Sequence, residues 1–415
     1  MRASAWLNAA LACLAAGCIT IPRADSPSAA SQAATPAGFS GPIRAYSMDR
    51  NFYREHSPER LCEELGAAGD GAIDILALSG GGAGGAFGAG VLTGLGEAGR
   101  RPTFEVVTGV STGALTAPFA YLGPDWDDEL RDAYTGGESA RLMRSRGLGA
   151  LFGTAFFQSD PLHDLVDRFV TDEMLAAVAG ERAKGRMLLV ATTNLDREET
   201  VIWDMGAIAA QGGLRGRRLF RDVLIASASV PGVFPPVMIE VEDGGQTFAE
   251  MHVDGGASTP FFIGPSIVLL LDEEHEALRG ARIFVIANSQ LASTASTTPF
   301  NAAAIAGRSF SSVLMHMTRT AIAQTEVFAR RHAVDFRFTN IPTDFPYAGA
   351  LKFDRAGMAA LFEYGRRCAV AGRIWVNVDQ GLARAALSEG RAESLDAPCP
   401  LIDDPASSAA PAPAG

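Results

Sequence analysis

The sequence predicts an α/β protein organised as a single large domain. Apolar runs short enough for buried strands alternate with helical patterns through most of the chain, and this alternation is typical of a sheet that carries helices on its faces. The chain has 415 residues, 47% of them apolar, which is enough to bury one large core. No internal repeat interrupts the order of elements, so we expect one domain rather than two.

The first elements surround a run of glycines. Residues 73–78 are apolar and short enough for a buried strand, and apolar residues recur at helical spacing from Ala86 to Leu95. Glycines fill the turn between them, at residues 80–85. A second buried strand is predicted over 104–110, with a helix that begins at Ala114.

The later elements continue the alternation. Residues 123–160 show no regular pattern, but strand-length apolar runs and longer helical patterns follow in turn. A Pro-Gly pair ends one helix after residue 229, and an Asp-Gly-Gly turn marks a hairpin. Helices are predicted over 161–178, 220–229, 302–332 and 355–371, and strands over 187–193, 200–204, 237–241, 247–253, 282–287 and 336–341.

The two ends of the chain differ in composition from the rest. Residues 1–18 combine one early Arg, an apolar run and small residues ahead of Cys18, a pattern typical of a bacterial lipoprotein signal peptide with Cys18 lipidated. An ordinary secretory signal, with a secreted or periplasmic product, is the alternative. Residues 19–42, rich in Ala, Ser and Pro, predict a flexible linker, and 396–415 a disordered tail, which leaves 43–395 as the folded domain.

We therefore expect a lipid-anchored protein of the bacterial cell envelope. Ile19 follows the cysteine in place of the Asp that favours retention at the inner membrane, so the outer membrane is the expected location. No other segment reaches the roughly 18 uninterrupted apolar residues that a bilayer crossing needs.

Charge and cysteine content exclude further classes of partner. The formal net charge is −12 and no basic stripe offsets it, which argues against nucleic acid. The five cysteines show no C-x-x-C spacing. A metal site is therefore not expected of them, and a chain of this length gives no indication of a disulfide framework.

The glycine run at 80–85 is suited to hold negative charge. Glycines crowded between a strand and a helix N-terminus leave backbone N–H groups bare and directed the same way. The charge could belong to a bound phosphate, or to an oxyanion that exists only during a reaction. Whether the turn binds a phosphate or an oxyanion depends on which other functional residues the chain contains.

Ser111 is the candidate nucleophile. Gly109-Val110-Ser111-Thr112-Gly113 fits G-x-S-x-G between a predicted strand and a predicted helix, where small neighbours allow a tight turn that lifts the hydroxyl clear of the sheet. The alternative is a plain strand-to-helix turn. A serine nucleophile needs a base, and none of the six histidines suits a Ser–Asp–His order. His252 comes closest, in a strand two residues before Asp254.

Three motifs, in this order along the chain, resemble the patatin-like phospholipases. They are the glycine run at 80–85, the G-x-S-x-G around Ser111, and Asp254-Gly255-Gly256; the segment Ser-Ala-Ser-Val-Pro-Gly-Val-Phe-Pro-Pro at 227–236 is similar too. The resemblance extends from about residue 73 to 375. It implies a three-layer α/β/α fold with a mostly parallel central sheet. It also implies acyl-ester substrates such as phospholipids or lysophospholipids, and no metal or organic cofactor.

In that family a serine–aspartate dyad does the chemistry, so the resemblance implies Ser111 as nucleophile and Asp254 as base. Physical chemistry supports the pairing, because a carboxylate beside the serine hydroxyl can take its proton during attack and return it to the leaving alcohol. Backbone amides would hold the oxyanion. The expected oxyanion donors are Gly80, Gly81 and Gly82, and the expected turn-forming support is Gly85, Gly109, Gly113, Gly255 and Gly256.

Two details qualify the motif match. Asp243-Gly244-Gly245 repeats the same three letters, but it lies in a predicted hairpin turn, where Asp-Gly is a common structural signal. Asp254 follows an apolar strand, so we assign the base to Asp254. The family usually carries Arg or Lys where this chain has Gly84, so a fixed positive group beside the glycine turn is missing.

Two other interpretations stay open. Gly80-x-Gly82-x-x-Gly85 fits a dinucleotide-binding fingerprint, which expects an acidic residue at the end of the second strand. The only acid of that strand, Glu105, stands at its beginning. The second alternative is a catalytically silent binding protein of the cell envelope that keeps the fold.

Overall fold

The computed structural model describes residues 23, 34–49, 65, 73–136, 160–266, 278–292, 297–381 and 393–400. The strands within them are β1 (Thr35–Pro36), β2 (Arg44–Tyr46), β3 (Asp74–Leu78), β4 (Val106–Val110), β5 (Met187–Asn194), β6 (Glu199–Asp204), β7 (Val237–Asp243), β8 (Gln246–Asp254), β9 (Arg282–Gln290) and β10 (Asp335–Ile341). The helices are α1 (Gly85–Glu97), α2 (Thr112–Leu122), α3 (Asp127–Thr135), α4 (Asp160–Phe169), α5 (Asp172–Ala183), α6 (Met205–Gln211), α7 (Gly213–Ser227), α8 (Ala302–His332) and α9 (Arg355–Val370).

The strands form one mixed sheet in the order β1-β7-β8-β5-β4-β3-β9-β10, with β6 beside β5 and β2 beside β6. The centre is parallel, since β5, β4, β3, β9 and β10 run in the same direction. Antiparallel pairs extend it on the side of β8, β7 and the short N-terminal strands. The predicted α/β fold with a mostly parallel central sheet is confirmed.

Side chains of the central strands alternate between two apolar layers. Leu76 and Leu78 of β3 pack in a cluster with α1, α2, α7 and α9. Ile75 and Ala77, which point to the opposite face, pack instead with residues of α8. Helices therefore cover both faces of the sheet, as the apolar runs of its parallel strands require. Across the described residues, no helix combines the length and apolar composition of a bilayer crossing.

Most predicted elements are present, and two regions differ. The helix predicted over 161–178 is two helices, α4 and α5, because Thr171 lies between them and its side chain accepts the amide of Met174 at 3.2 Å, a helix N-cap that starts the second helix. Helix α3 lies where no pattern was visible. It is strongly polar, with Leu130, Ala133 and Tyr134 as its main buried contacts.

The predicted linker is too long at its C-terminal end. Residues 34–42 lie against the body: Ala34 is 3% exposed, and β1 pairs with β7. Arg44, just beyond them, forms an ion pair with buried Glu250 of β8. These contacts outweigh a composition that predicts flexibility. Cys18 lies outside the described residues.

The C-terminal segment corrects two further predictions. Cys368, at the end of α9, forms a disulfide with Cys399, although the cysteine spacing indicated none. The predicted disordered tail also begins too early, because Ala397 is 3% exposed within the apolar core. Sequence spacing carries no information on this pair, since two residues 31 positions apart meet only through the tertiary fold.

Candidate active site

Strand register places Ser111 and Asp254 at the same level of the sheet. Val110, the last residue of β4, pairs with Ala191 of β5, and the next residue of β5, Thr192, pairs with Asp254 at the end of β8. Ser111 directly follows Val110. The serine and the aspartate are therefore brought together by three neighbouring strands, 143 positions apart in sequence.

Ser111 occupies a sharp strand-to-helix turn at the start of α2. Its φ of 56° and ψ of −124° are unusual for a residue with a side chain. The flanking glycines are required by close contact: a Cβ at Gly109 would lie 2.6 Å from the carbonyl oxygen of Gly113, and one at Gly113 would lie 2.3 Å from that of Leu78. This is the geometry of a nucleophile elbow.

The Ser111 hydroxyl donates a hydrogen bond to Asp254 Oδ2 at 2.6 Å. The other carboxylate oxygen, Oδ1, accepts the amide of Gly256 at 2.7 Å. Asp254 is 2% exposed, and burial raises its pKa to about 7, although the hydrogen bonds from Ser111 and Gly256 oppose the shift. Near neutral pH the carboxylate is thus a far better proton acceptor than an ordinary aspartate.

The competing candidates lie away from Ser111. His252 Nδ1 contacts Thr192 Oγ1 at 2.9 Å, and its Nε2 contacts Glu250 at 3.2 Å. Among the described residues, no histidine nitrogen hydrogen-bonds the Ser111 hydroxyl. Asp243 is at the turn of the β7–β8 hairpin, and Asp254 is at the other end of β8.

The glycine turn leaves two of the three predicted oxyanion donors available. The amide of Gly80 donates to the carbonyl oxygen of Pro260 at 3.0 Å, so Gly80 does not fit the predicted role. The amides of Gly81 and Gly82 face no acceptor among the described residues. Gly82 lines the same cavity as Ser111, and a Cβ at Gly80 would lie 3.2 Å from the Ser111 Cβ.

The remaining support glycines hold close approaches between backbone segments. A Cβ at Gly85 would lie 2.1 Å from Thr112 Oγ1, and one at Gly255 would lie 2.4 Å from the carbonyl oxygen of Ala191. Gly256 contributes its amide to Asp254. These contacts hold the glycine turn against α2, and the aspartate loop against β5.

Three residues support the site without having been singled out as site residues in the sequence. Ser227 accepts the amide of Ser111 at 3.0 Å and donates to the carbonyl oxygen of Ala191 at 2.7 Å. Asn288 and Tyr347 contact the glycine turn. Ser227 belongs to the segment 227–236 that resembles the family, which is the one available signal. Asn288 and Tyr347 belong to no motif, so only the tertiary fold shows their role.

An apolar cavity opens beside Ser111. Helices α2, α4, α5 and α7 supply most of its walls, and α3, the glycine turn, the segment 228–234 and residues 351–358 supply the rest. Almost every lining side chain is a hydrocarbon or an aromatic ring, which suits an acyl chain rather than a polar head group. Lining residues include Leu115, Phe119, Val166, Met174, Leu224 and Phe234.

The structure also bears on cofactor sites. Within the described ranges, no group of three His, Cys, Asp or Glu side chains has the arrangement of a metal site. A dinucleotide fingerprint would need an acidic residue at the C-terminal end of β4. Glu105 instead precedes β4, and its carboxylate accepts the amide of Asp74 at 2.7 Å. That contact lies at the strand end opposite to the glycine turn.

The fold and the site together define an α/β protein with an elbow serine, an adjacent buried aspartate and a glycine turn. Residues 76–265, a little under half of the chain, match the family model described as patatin-like phospholipase. At the level of the family this indicates a lipid acyl hydrolase.

Two solved structures are similar to this chain. VipD from Legionella pneumophila is 14% identical, with a TM-score of 0.35, over 72% of this chain and 67% of that chain. Human GIVD cytosolic phospholipase A2 is 13% identical, with a TM-score of 0.30, over 79% of this chain and 54% of that chain. The chain thus spans about half the length of the human protein. No curated protein sequence matches this chain.

Proposed function

We propose that the protein hydrolyses acyl esters of lipids through an acyl-enzyme on Ser111, with Asp254 as general base and acid. The observation that carries the proposal is the 2.6 Å hydrogen bond from the Ser111 hydroxyl to the buried Asp254 carboxylate. The substrate class is phospholipid, lysophospholipid or another acyl ester, and the reaction uses no metal or organic cofactor.

The first half-reaction follows from the geometry. Asp254 accepts the Ser111 proton while Oγ attacks the ester carbonyl carbon, and the carbonyl oxygen becomes an oxyanion that the amides of Gly81 and Gly82 bind. When the tetrahedral intermediate collapses, the carbon–oxygen bond to the alcohol breaks. Asp254 returns its proton to that alcohol, and the acyl group stays on Ser111.

The second half-reaction repeats these roles with water. Asp254 accepts a proton from water as the water attacks the acyl-Ser111 carbonyl. Collapse of the second tetrahedral intermediate releases the fatty acid and returns the proton to Ser111 Oγ. Ester substrates suit an aspartate base, because an alcohol is a better leaving group than an amine.

The apolar cavity supports a fatty acyl group as the part of the substrate that is recognised. A hydrocarbon chain beside Ser111 would replace water against Leu115, Phe119 and Phe234, and each buried methylene contributes roughly 0.8 kcal/mol. Most of the binding energy would then come from the chain rather than from the alcohol.

Two measurements on one set of variants test the proposal. Fluorophosphonate probes, which react with activated serines, should label wild type and not Ser111→Ala. Hydrolysis of a panel of phospholipids, lysophospholipids and simple esters should fall at least a thousandfold in Ser111→Ala and Asp254→Asn. Ser47→Ala, at a serine whose hydroxyl bonds Ser266, and Asp243→Asn in the hairpin turn are the matched controls.

The controls should retain activity within about twofold of wild type. Equal labelling of wild type and Ser111→Ala would contradict the nucleophile assignment. Loss of activity in Asp243→Asn with retention in Asp254→Asn would show that the other aspartate is the base. A wild type that hydrolyses no ester of the panel would favour a catalytically silent binding protein.

A further inference from the structure

Two side chains outside the dyad donate hydrogen bonds to backbone carbonyl oxygens of the glycine turn. The Ser79 hydroxyl donates to the carbonyl oxygen of Gly80 at 2.7 Å. The Tyr347 hydroxyl donates to the carbonyl oxygen of Gly81 at 3.0 Å. These two carbonyls belong to the peptide units whose N–H groups are those of Gly81 and Gly82.

Because the peptide unit is planar, these contacts also fix the direction of the Gly81 and Gly82 N–H groups. The C=O and N–H of a planar trans peptide point in opposite directions, and no cis peptide occurs among the described residues. A donor fixed on the carbonyl oxygen of Gly80 therefore fixes the Gly81 N–H on the opposite side. Tyr347 does the same for the Gly82 N–H, and Gly82 lines the cavity that contains Ser111.

We propose that Ser79 and Tyr347 are positioning residues for the oxyanion site, and that they orient and polarise the amides of Gly81 and Gly82. This inference rests on the proposed function, because it assigns a purpose to those amides. A hydrogen bond to the carbonyl strengthens the N–H of the same peptide as a donor, by roughly 10–30% for each bond in a chain.

The turn needs such support because it is made of glycine. Gly82 has a φ of 53°, and glycine populates this region and its mirror image about equally. An amide that has to wait for an oxyanion must already point at it, since reorientation during the reaction would forfeit much of the stabilisation. The Gly81 carbonyl oxygen also accepts the amide of Gly84 at 2.9 Å, and the hydrogen bonds from Ser79 and Tyr347 add side-chain support to this backbone contact.

The donors are themselves fixed in the required direction. Ser79 Oγ accepts the amide of Asn288 at 2.8 Å, which leaves its own proton for the carbonyl of Gly80. Asn288 also donates from its side chain to the Ser79 carbonyl oxygen at 2.8 Å. Burial raises the pKa of the Tyr347 hydroxyl, so this group stays protonated and remains a donor.

Position 84 shows how the turn accommodates Tyr347. A Cβ at Gly84 would lie 2.0 Å from the carbonyl oxygen of Asn288 and 2.9 Å from the Tyr347 hydroxyl. A longer side chain, such as the Arg or Lys expected from the resemblance, has no room there. Tyr347 therefore occupies the space beside the turn and contacts the Gly81 carbonyl directly.

The test is Tyr347→Phe, which removes the hydroxyl and keeps the ring. We expect kcat for a p-nitrophenyl ester to fall about 10- to 100-fold, less than the 10²–10³ that follows loss of an entire oxyanion donor. KM should stay within about twofold, because the ground-state carbonyl carries little charge. Affinity for an alkyl trifluoromethyl ketone, which forms an oxyanion on serine, should fall by the same factor as kcat.

Tyr121→Phe is the matched control. Its hydroxyl also donates to a backbone carbonyl oxygen, that of Arg186 at 3.0 Å, but away from the glycine turn; Tyr121 is fully buried and Tyr347 is partly buried. The control should match Tyr347→Phe in melting temperature and retain the kcat of wild type. Ser79→Ala tests the other amide and carries the same expectations, which keeps the inference testable if Tyr347→Phe fails to fold.

Three outcomes would overturn the inference. They are a wild-type kcat in Tyr347→Phe and Ser79→Ala, a rise in KM with kcat unchanged, and an equal loss of activity in Tyr121→Phe. Failure of the proposed function would give a different result. If Ser111→Ala remained active, no tetrahedral intermediate would form on Ser111, and there would be no oxyanion for these amides to bind. An inactive Ser111→Ala beside a fully active Tyr347→Phe would leave the proposed function standing and refute the positioning role alone.

Discussion

In the proposed mechanism, the burial of Asp254 couples catalysis to stability. Its carboxylate has two hydrogen-bond donors, from Ser111 and Gly256, and they compensate only part of the cost of removing a charge from water. The remaining cost appears as a pKa of about 7. The same burial that makes Asp254 a useful base near neutral pH therefore makes the ionised site unfavourable for the fold.

Activity and stability should consequently change in opposite directions with pH. In the unfolded chain Asp254 loses its proton near 3.8, whereas in the folded protein it keeps the proton until about 7. Its contribution to stability is thus fully present below about pH 4 and is lost as pH rises to 7. Over the lower part of that window, kcat/KM should rise about tenfold per unit as the base ionises, and it should level off above 7.

The variant Asp254→Asn measures how much the ionisation of Asp254 contributes to the free energy of unfolding. Denaturant unfolding of wild type and variant between pH 4 and 8 should show the variant gaining up to about 4 kcal/mol relative to wild type, from a shift of about three pKa units. The gain should stop above pH 7. Asp243→Asn is the control and should follow wild type, whereas a pH-independent difference for Asp254→Asn would contradict the buried-base interpretation.

Sequence reasoning located single residues best where a local motif exists. The glycines beside Ser111 and after Asp254 made both residues recognisable as site candidates in the sequence. Glycines are required there because neighbouring backbone segments approach closely. The amide of Gly80 could not be assigned in the same way, since its partner is Pro260. Tyr347 reaches the glycine turn only through the tertiary fold, and no local pattern indicates that contact.

At the scale of elements, the break between α4 and α5 shapes the apolar cavity beside Ser111. The sequence predicts one helix over 161–178, and a continuous helix would direct its apolar face along one line. Thr171 starts a new helix instead. Val166 of α4 and Met174 of α5 consequently line the same cavity, together with α2 and α7. Apolar periodicity predicted the buried faces but not the bend, because the cap depends on a single hydroxyl.

A bulky residue in this wall should shorten the chain that the enzyme accepts. Val166→Phe should lower kcat/KM for a sixteen-carbon acyl ester relative to an eight-carbon ester by about tenfold or more, since excluding two methylenes costs ~1.6 kcal/mol. The ratio of the two substrates cancels any general loss of folded protein. A preference that does not change would contradict the assignment of this cavity to the acyl chain.

Val178→Phe is the matched control for that experiment. Val178 is fully buried in α5 but does not line the cavity. The added volume should destabilise the protein by a similar 1–3 kcal/mol and leave the chain-length ratio unchanged. A shift in both variants would point to general disorder of α4 and α5.

For the whole molecule, contacts at both ends of the described chain stabilise the sheet and its helices. The N-terminal segment adds β1 and β2 to the sheet, and Arg44 neutralises the buried Glu250 on the strand that ends at Asp254. The C-terminal segment is joined to α9 by the Cys368–Cys399 disulfide. A bond closing a loop of this length typically contributes roughly 3–4 kcal/mol.

Composition predicted a flexible linker up to residue 42 and a disordered tail from residue 396, and both predictions extended too far into the folded protein. Composition describes the average tendency of a segment and does not show which single residues make contacts. Residues 34–42 and 396–400 are rich in small residues and proline, yet a short strand pairing, an ion pair and a disulfide each need only one or two residues. The alternation of strands and helices in the middle of the chain was predictable, because each of those elements repeats its signal over many residues.

The disulfide supports the proposed location of the protein outside the cytoplasm. Disulfides persist in oxidising compartments such as the bacterial periplasm and are rare in the cytosol. We propose that the protein is exported and held at the bacterial envelope by a lipid on Cys18, the residue at which the signal-like pattern ends. One acyl chain alone binds a membrane only marginally, so stable anchoring requires more than one chain.

Cys18→Ser separates lipid anchoring from ordinary secretion, with Cys13→Ser, in the same apolar run, as the matched control. In a bacterial host, wild type and Cys13→Ser should incorporate labelled fatty acid and sediment with the membranes. Cys18→Ser should do neither and should lose anchoring without losing esterase activity, because none of the proposed site residues belongs to residues 1–18. Thiol alkylation should find Cys368 and Cys399 blocked in exported protein. Membrane attachment that survives in Cys18→Ser without fatty-acid label would contradict the lipid anchor and favour another mode of attachment.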